Sequence, residues 1–148
     1  MSAQTDEFLG VIFPLSHSHI EQFLANGKNV FVKYCGKSTI PRHIDNGSKL
    51  YFYESKSAKH IVGEAKIIKI TQCTIDEVIE KFSDRLFLTR DELNAYANGR
   101  RTKMMLVLTL EKMKRYSAPL PLDKSLTMAG QYMTKSLYQR ISSKPSVC

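Results

Sequence analysis

The sequence predicts an α+β fold, a small mixed β-barrel with peripheral helices, and three observations predict it. Lys49 to Ile70, KLYFYESKSAKHIVGEAKIIKI, reads as two strands joined by the short polar turn Ser55–Lys59. Lys103 to Lys112, KMMLVLTLEK, is a nearly continuous apolar run of the kind a central strand carries. Between strand-like segments fall Ser/Thr-x-x-Glu pairs, whose side chains can satisfy backbone N–H groups of a first helical turn.

The elements follow in order. Gly10–Phe13 is a short strand stopped by Pro14. Ser18 with Glu21 forms a capping box for a helix with an apolar stripe of Ile20, Phe23 and Leu24, and Gly27 is placed to end it. Asn29–Cys35 is the next strand, with Val30, Val32 and Tyr34 facing one way. Gly36–Gly47 holds Pro41, Asp45 and Asn46 and reads as a loop. In the hairpin that follows, alternation places Lys49, Tyr51 and Tyr53 on one face and Leu50, Phe52 and Glu54 on the other. Thr74 with Glu77, and Thr89 with Glu92, open two further helices, the second ending near Gly99. After the Lys103–Lys112 strand, Tyr116–Asp123 has two prolines and is expected to be an extended edge or a loop. Thr127–Thr134, TMAGQYMT, is strand-like or turn-like around Gly130, and the basic tail from Lys135 is expected to fray in part.

The chain's 148 residues make one domain, residues 1–148, with a core over about 8–134 and a tail over 135–148. No apolar run approaches a membrane span. The polar N-terminus lacks the features of a signal peptide, and Cys35, Cys73 and Cys148 have no CxxC spacing, so a cytoplasmic location is expected. The net charge of +8 is unevenly spread. Residues 1–27 and 72–99 each carry −3, whereas 28–71 carry +6 and 100–148 carry +8. The helical segments are acidic and the strands and tail basic, which is the footprint of a polyanion-binding surface. On that charge pattern the helices are expected on the side of the barrel away from the ligand.

Six segments also carry a family resemblance. GVIFP, GKNVFVKY, KLYFYES, IVGEAKI, DRLFLTRDEL and TMAGQYMT, in this order over roughly residues 10–134, resemble an archaeal family, domain of unknown function family 365. That family is similar to the PUA-like superfamily, beside the ASCH and EVE domains. The resemblance implies a pseudo-barrel and a cleft that, in relatives, takes RNA or modified nucleobases. ASCH domains share a G-x-K-x-x-E-x-R signature, and some hydrolyse acylated cytidine. At the matching positions this chain has Gly27, then Asn29, Val32 and Tyr34 in place of the lysine, glutamate and arginine. Val32 also stands where the hydrolases have their threonine nucleophile. An aliphatic side chain neither attacks nor moves a proton, so that chemistry does not carry over.

The candidate ligand surface is therefore basic and aromatic: Lys33, Tyr34, Lys49, Tyr51 and Tyr53. Aromatic rings stack bases for about 1–3 kcal/mol each, and lysines add a salt-dependent phosphate term. Lys56 and Lys59 at the hairpin tip, and Arg100, Arg101 and Lys103 after the second capped helix, are placed to reach a phosphate backbone. Gln131 and Tyr132 beside Gly130 offer an amide and a ring to a splayed base. His17 and His19 lie two apart and share no helix face, and no histidine or cysteine pair has zinc spacing, so no metal is expected. No cofactor motif and no catalytic motif is present. The expected function is non-catalytic binding of RNA or a modified nucleotide, with no membrane partner. The alternatives are a nucleoside-modifying or hydrolysing enzyme with rearranged groups such as Glu64 or Asp84, and a protein-interaction module.

Overall fold

The computed structural model describes residues 7–34, 44–45, 47–54, 59–122 and 130–142. Six strands and four helices lie among them. The first half runs β1 (Phe8–Leu15), α1 (His17–Leu24), β2 (Val30–Lys33), β3 (Lys49–Glu54) and β4 (His60–Cys73). The second half runs α2 (Ile75–Phe82), α3 (Arg90–Tyr96), β5 (Met105–Pro121), β6 (Gln131–Thr134) and α4 (Lys135–Ser142), with a 3-10 turn at Ser83–Arg85.

The strands form one mixed sheet in the order β2-β5-β4-β3-β1-β6. Among the described strands only β1 and β3 pair in parallel, with Gly10 beside Lys49 and Leu15 beside Glu54. The long β4–β5 pair breaks register three times, at Ile61/Gly63, Glu64/Lys66 and Ile67/Lys69. Such bulges bend a ribbon and sharpen its twist. At one of them Lys112 takes a φ of 55°. The sheet curls far enough that Phe13 of β1 stacks on Phe31 of β2 at 5.2 Å, although β5, β4 and β3 separate those strands in the sheet. Among the described residues the curl does not close by hydrogen bonds, so the result is an α+β pseudo-barrel with a seam between β1 and β2.

The alternation expected in β3 holds, and it divides two cores. Leu50 and Phe52 face inward with Phe13, Phe23, Phe31 and Phe87. These rings stack on one another at 5.0–5.4 Å: Phe23 on Phe52 and Phe87, and Phe31 on Phe87. Burying a phenylalanine contributes about 1.5–3 kcal/mol. Tyr51 and Tyr53 face outward into a second cluster with Ile12, Ile61, Leu122, Met133 and Ile141 of α4. The first part of the tail is thus a helix that covers this cluster; residues 143–148 lie outside the described residues.

Several boundaries differ from expectation for definite reasons. Ser16, not Ser18, caps α1, its hydroxyl accepting from the His19 N–H, while Glu21 turns outward to Arg115. β1 continues through Pro14, which β1 tolerates because β6 reaches only as far as Ile12. β5 runs on to Pro121, its proline-containing end paired with His60 and Ile61. β2 covers only Leu106–Thr109 of β5, so the prolines do occupy an edge. Both later capping boxes form as expected, Thr74 with Glu77 and Thr89 with Glu92.

Candidate functional site

The open seam leaves a cleft of about 350 Å³. One wall is the end of β1, Phe13-Pro14-Leu15, and the other is β2, Phe31-Val32-Lys33. Phe87 and Leu88 close its inner end, and α3 overhangs it with Glu92, Ala95 and Tyr96. Phe13, Phe31 and Phe87 are at most 5 % exposed, so they form the floor rather than offering whole ring faces. Lys33 supplies the cation, its Nζ 5.2 Å from the centroid of Phe13. The charge pattern places the helices away from the ligand; α1 and α3 wall this cleft, their apolar stripes packed on the seam.

Local chemistry fixes these walls. α3 begins at Thr89, whose hydroxyl accepts from the Glu92 N–H at 3.1 Å while Glu92 accepts from the Thr89 N–H at 2.9 Å. Glu92 Oε2 also meets His19 Nε2 at 2.9 Å, which ties α1 to α3 across the cleft mouth. The Thr89 N–H, followed by His19, holds the Glu92 carboxyl below its usual pKa. His19 packs edge-on to Phe87 at 5.3 Å, and His17 meets Glu54 of β3 at 3.2 Å. A neighbouring groove of about 500 Å³ shares His19, Phe87, Leu88 and Glu92 and carries Lys28 and Arg90.

The far wall is buttressed by a second assembly. The Tyr96 hydroxyl accepts from the Tyr34 N–H at 2.9 Å. The Arg100 guanidinium lies 4.6 Å from the Tyr34 ring and 4.8 Å from the Tyr96 ring, and it donates to the Tyr96 carbonyl. Burial pushes the Tyr34 phenol up in pKa, and its hydroxyl is buried with no hydrogen-bond partner among the described residues.

Gly130, at a φ of +81°, sits directly against Phe13: a β-carbon there would overlap the ring and come within 2.8 Å of the Ile12 carbonyl oxygen. The close approach expected of this glycine is therefore to the floor of the cleft.

Of the residues singled out from the sequence, Lys33 lines the cleft and Tyr34 stands behind its wall. Tyr51 and Tyr53 do not present a stacking face: they are 2 % and 1 % exposed, buried because α4 and β6 cover their side of the sheet. Lys49 is on the same outward face, where it pairs with Glu64 at 2.7 Å. Arg100 packs against two rings, and Arg101 is bound to Asp76 and Asn94, both at 2.8 Å, so neither projects as a bare cation. Lys59 and Lys103 are exposed, and Lys56 lies outside the described residues. Tyr132 tilts against Phe8 at 4.8 Å, and Gln131 pairs with Ile12 in the sheet. Sequence reasoning missed most of the cleft, because Phe13, Phe31 and Phe87 carry the same signal as any core phenylalanine.

Glu64 anchors a carboxylate network on the opposite face. It accepts from the Tyr116 hydroxyl at 2.6 Å and from Lys49 at 2.7 Å. Burial alone would raise its pKa, but Lys49, Tyr116 and Lys114 outweigh that and hold it low. Both oxygens are thereby engaged. Asp84 lies exposed in the 3-10 turn. Among the described residues no group of three or more His, Cys, Asp or Glu is placed to hold a metal ion, and no helix is long and apolar enough to cross a membrane.

The chain is 24% identical over 106 residues, 65% of its length and 98% of the relative's, to an uncharacterized protein of Methanocaldococcus jannaschii. The crystal structure of ASCH from Zymomonas mobilis is similar with a TM-score of 0.75 at 13% identity, covering 91% of this chain and 94% of that one. A mutant of the same protein gives 0.78 at 14% identity, covering 94% and 98%. The N-terminal domain of Staphylothermus marinus McrB gives 0.51 at 14% identity, covering 82% and 83%. At such identities these likenesses show the fold alone, which is similar to that of the ASCH structure. Residues 8–135 match the family described as Domain of unknown function (DUF365), and the chain belongs to that family.

Proposed function

We propose that this domain binds RNA or a modified nucleotide at the seam cleft, without catalysing a reaction on it. The observation that carries the reading is the cleft itself: about 350 Å³, floored by aromatic rings, with the Lys33 ammonium at its edge. That volume lies in the range of small-ligand pockets, and a lysine beside an aromatic floor suits a base joined to a phosphate. The net charge of +8, with Lys59 and Lys103 exposed, adds salt-dependent attraction for the rest of a strand. The non-catalytic part is supported by the lining. Val32 cannot act as nucleophile or base, and His19 and Glu92 are bonded to each other.

The test is a fluorescence-anisotropy titration with short single-stranded and hairpin RNAs at two salt concentrations. Wild type is compared with Lys33→Ala and with Ala95→Trp, which fills the cleft from an exposed helix position. Micromolar or tighter binding that weakens with salt and in both variants is expected. Binding that ignores both substitutions would move the ligand elsewhere on the surface. No binding to any RNA or nucleotide would sink the reading in favour of a protein-interaction module, and turnover of the ligand would favour an enzyme.

A further inference from the structure

The cleft is unusually dry for a pocket that reads bases. Of its twelve lining residues only His19, Lys33, Glu92 and Tyr96 carry polar side-chain atoms, and the other eight are hydrocarbon. These polar groups are already committed. His19 and Glu92 bond each other at 2.9 Å, Glu92 also caps α3, and the Tyr96 hydroxyl accepts the Tyr34 N–H. Lys33 lies over the Phe13 ring at the rim. An unmodified base pushed in edge-first would bury its donors and acceptors with nothing to replace water, which costs affinity. An alkyl group would lose nothing there and would gain from leaving water.

We propose that the cleft selects a nucleotide whose base carries an apolar substituent of several carbons. The substituent fills the hydrocarbon interior, while the base lies across the rim and its phosphate meets Lys33. The inference rests on the nucleotide-binding reading and narrows it to a substrate class. It also accounts for Ala95 and Leu88: small and aliphatic side chains on the overhanging wall leave space without adding a polar contact.

The test is isothermal titration calorimetry on the full chain with three probes: adenosine monophosphate, N6-isopentenyladenosine monophosphate, and 3-methyl-2-buten-1-ol. Each buried methylene is worth roughly fourfold in affinity, so a five-carbon substituent with about half of its carbons out of water is expected to tighten binding by about 30-fold. Ala95→Trp and Leu15→Glu should abolish that preference, with folding of each checked by thermal melting. Lys33→Ala should weaken both nucleotides by the same factor. Equal affinity for the two nucleotides would overturn the substituent preference and leave nucleotide binding standing. The alcohol binding as tightly as the substituted nucleotide would overturn the proposal and the nucleotide reading together, as would no binding by either nucleotide.

Discussion

Gly130 lies against the ring of Phe13, and it does so at a φ of +81°. Phe13 in turn stacks on Phe31 and receives Lys33 over its ring, so this one glycine braces the floor of the cleft. Gly130→Ala meets two penalties, the left-handed backbone and overlap with a ring that has nowhere to retreat. A loss of about 2–4 kcal/mol is expected, read as a lower urea midpoint at unchanged slope. A loss below about 0.5 kcal/mol would mean that Phe13 can move aside without cost.

The Glu64 network makes a pH-dependent contribution whose sign is set by its lowered carboxyl pKa. A carboxyl that ionises more readily in the folded chain stabilises it above the unfolded value, near 4.5, and the gain disappears as pH falls through the lower folded value. Glu64→Gln keeps the shape but removes the charge shared by Lys49 and Tyr116. At pH 7 the variant should be less stable by about 1–3 kcal/mol, and the gap to wild type should narrow below about pH 4. Denaturation at both pH values checks this, and a gap that is constant with pH would assign the loss to packing.

These two sites also mark what can be read from the chain. The capping boxes at Thr74 and Thr89 were legible because their bonds join residues three apart, and β3's faces were legible because strand alternation is local. Fold class followed from such signals in sum. That both faces of β3 are buried was not legible, since it depends on α4, some ninety residues away in a segment that reads only as a basic tail. The cleft was hidden for the same reason. Phe13, Phe31 and Phe87 meet only because three bulges curl the β4–β5 ribbon, and a bulge leaves little trace in composition. Ser18 misled because Ser16, two residues earlier, is an equally good cap, and the choice was settled by where β1 ends.

Thr89 is expected to matter beyond its own helix. Its hydroxyl caps α3, and the reciprocal bond holds Glu92 where it can reach His19. Thr89→Ala should cost about 1 kcal/mol, the usual loss for a cap. Exchange of the α3 amide hydrogens should speed more than exchange in β4 or β5, because the loss begins at one helix end. Uniform acceleration across the sheet would show that α3 does not unfold separately.

Arg100 distinguishes a structural cation from a ligand-binding one. Its guanidinium packs against both the Tyr34 and Tyr96 rings, which themselves touch at 5.1 Å, and is bonded to the Tyr96 carbonyl. Arg100→Lys keeps the charge but loses the planar group that both rings need, so it should lower stability by about 1–2 kcal/mol. Tyr96→Phe should cost a similar about 1–2 kcal/mol by leaving the Tyr34 N–H unpaired, and the double variant should cost less than the two together because they share one assembly. RNA affinity of Arg100→Lys, measured where the variant is fully folded, should keep the wild-type salt slope. A slope reduced by about 0.7 in Arg100→Ala would instead identify a phosphate contact and place the strand across the outer face of α3.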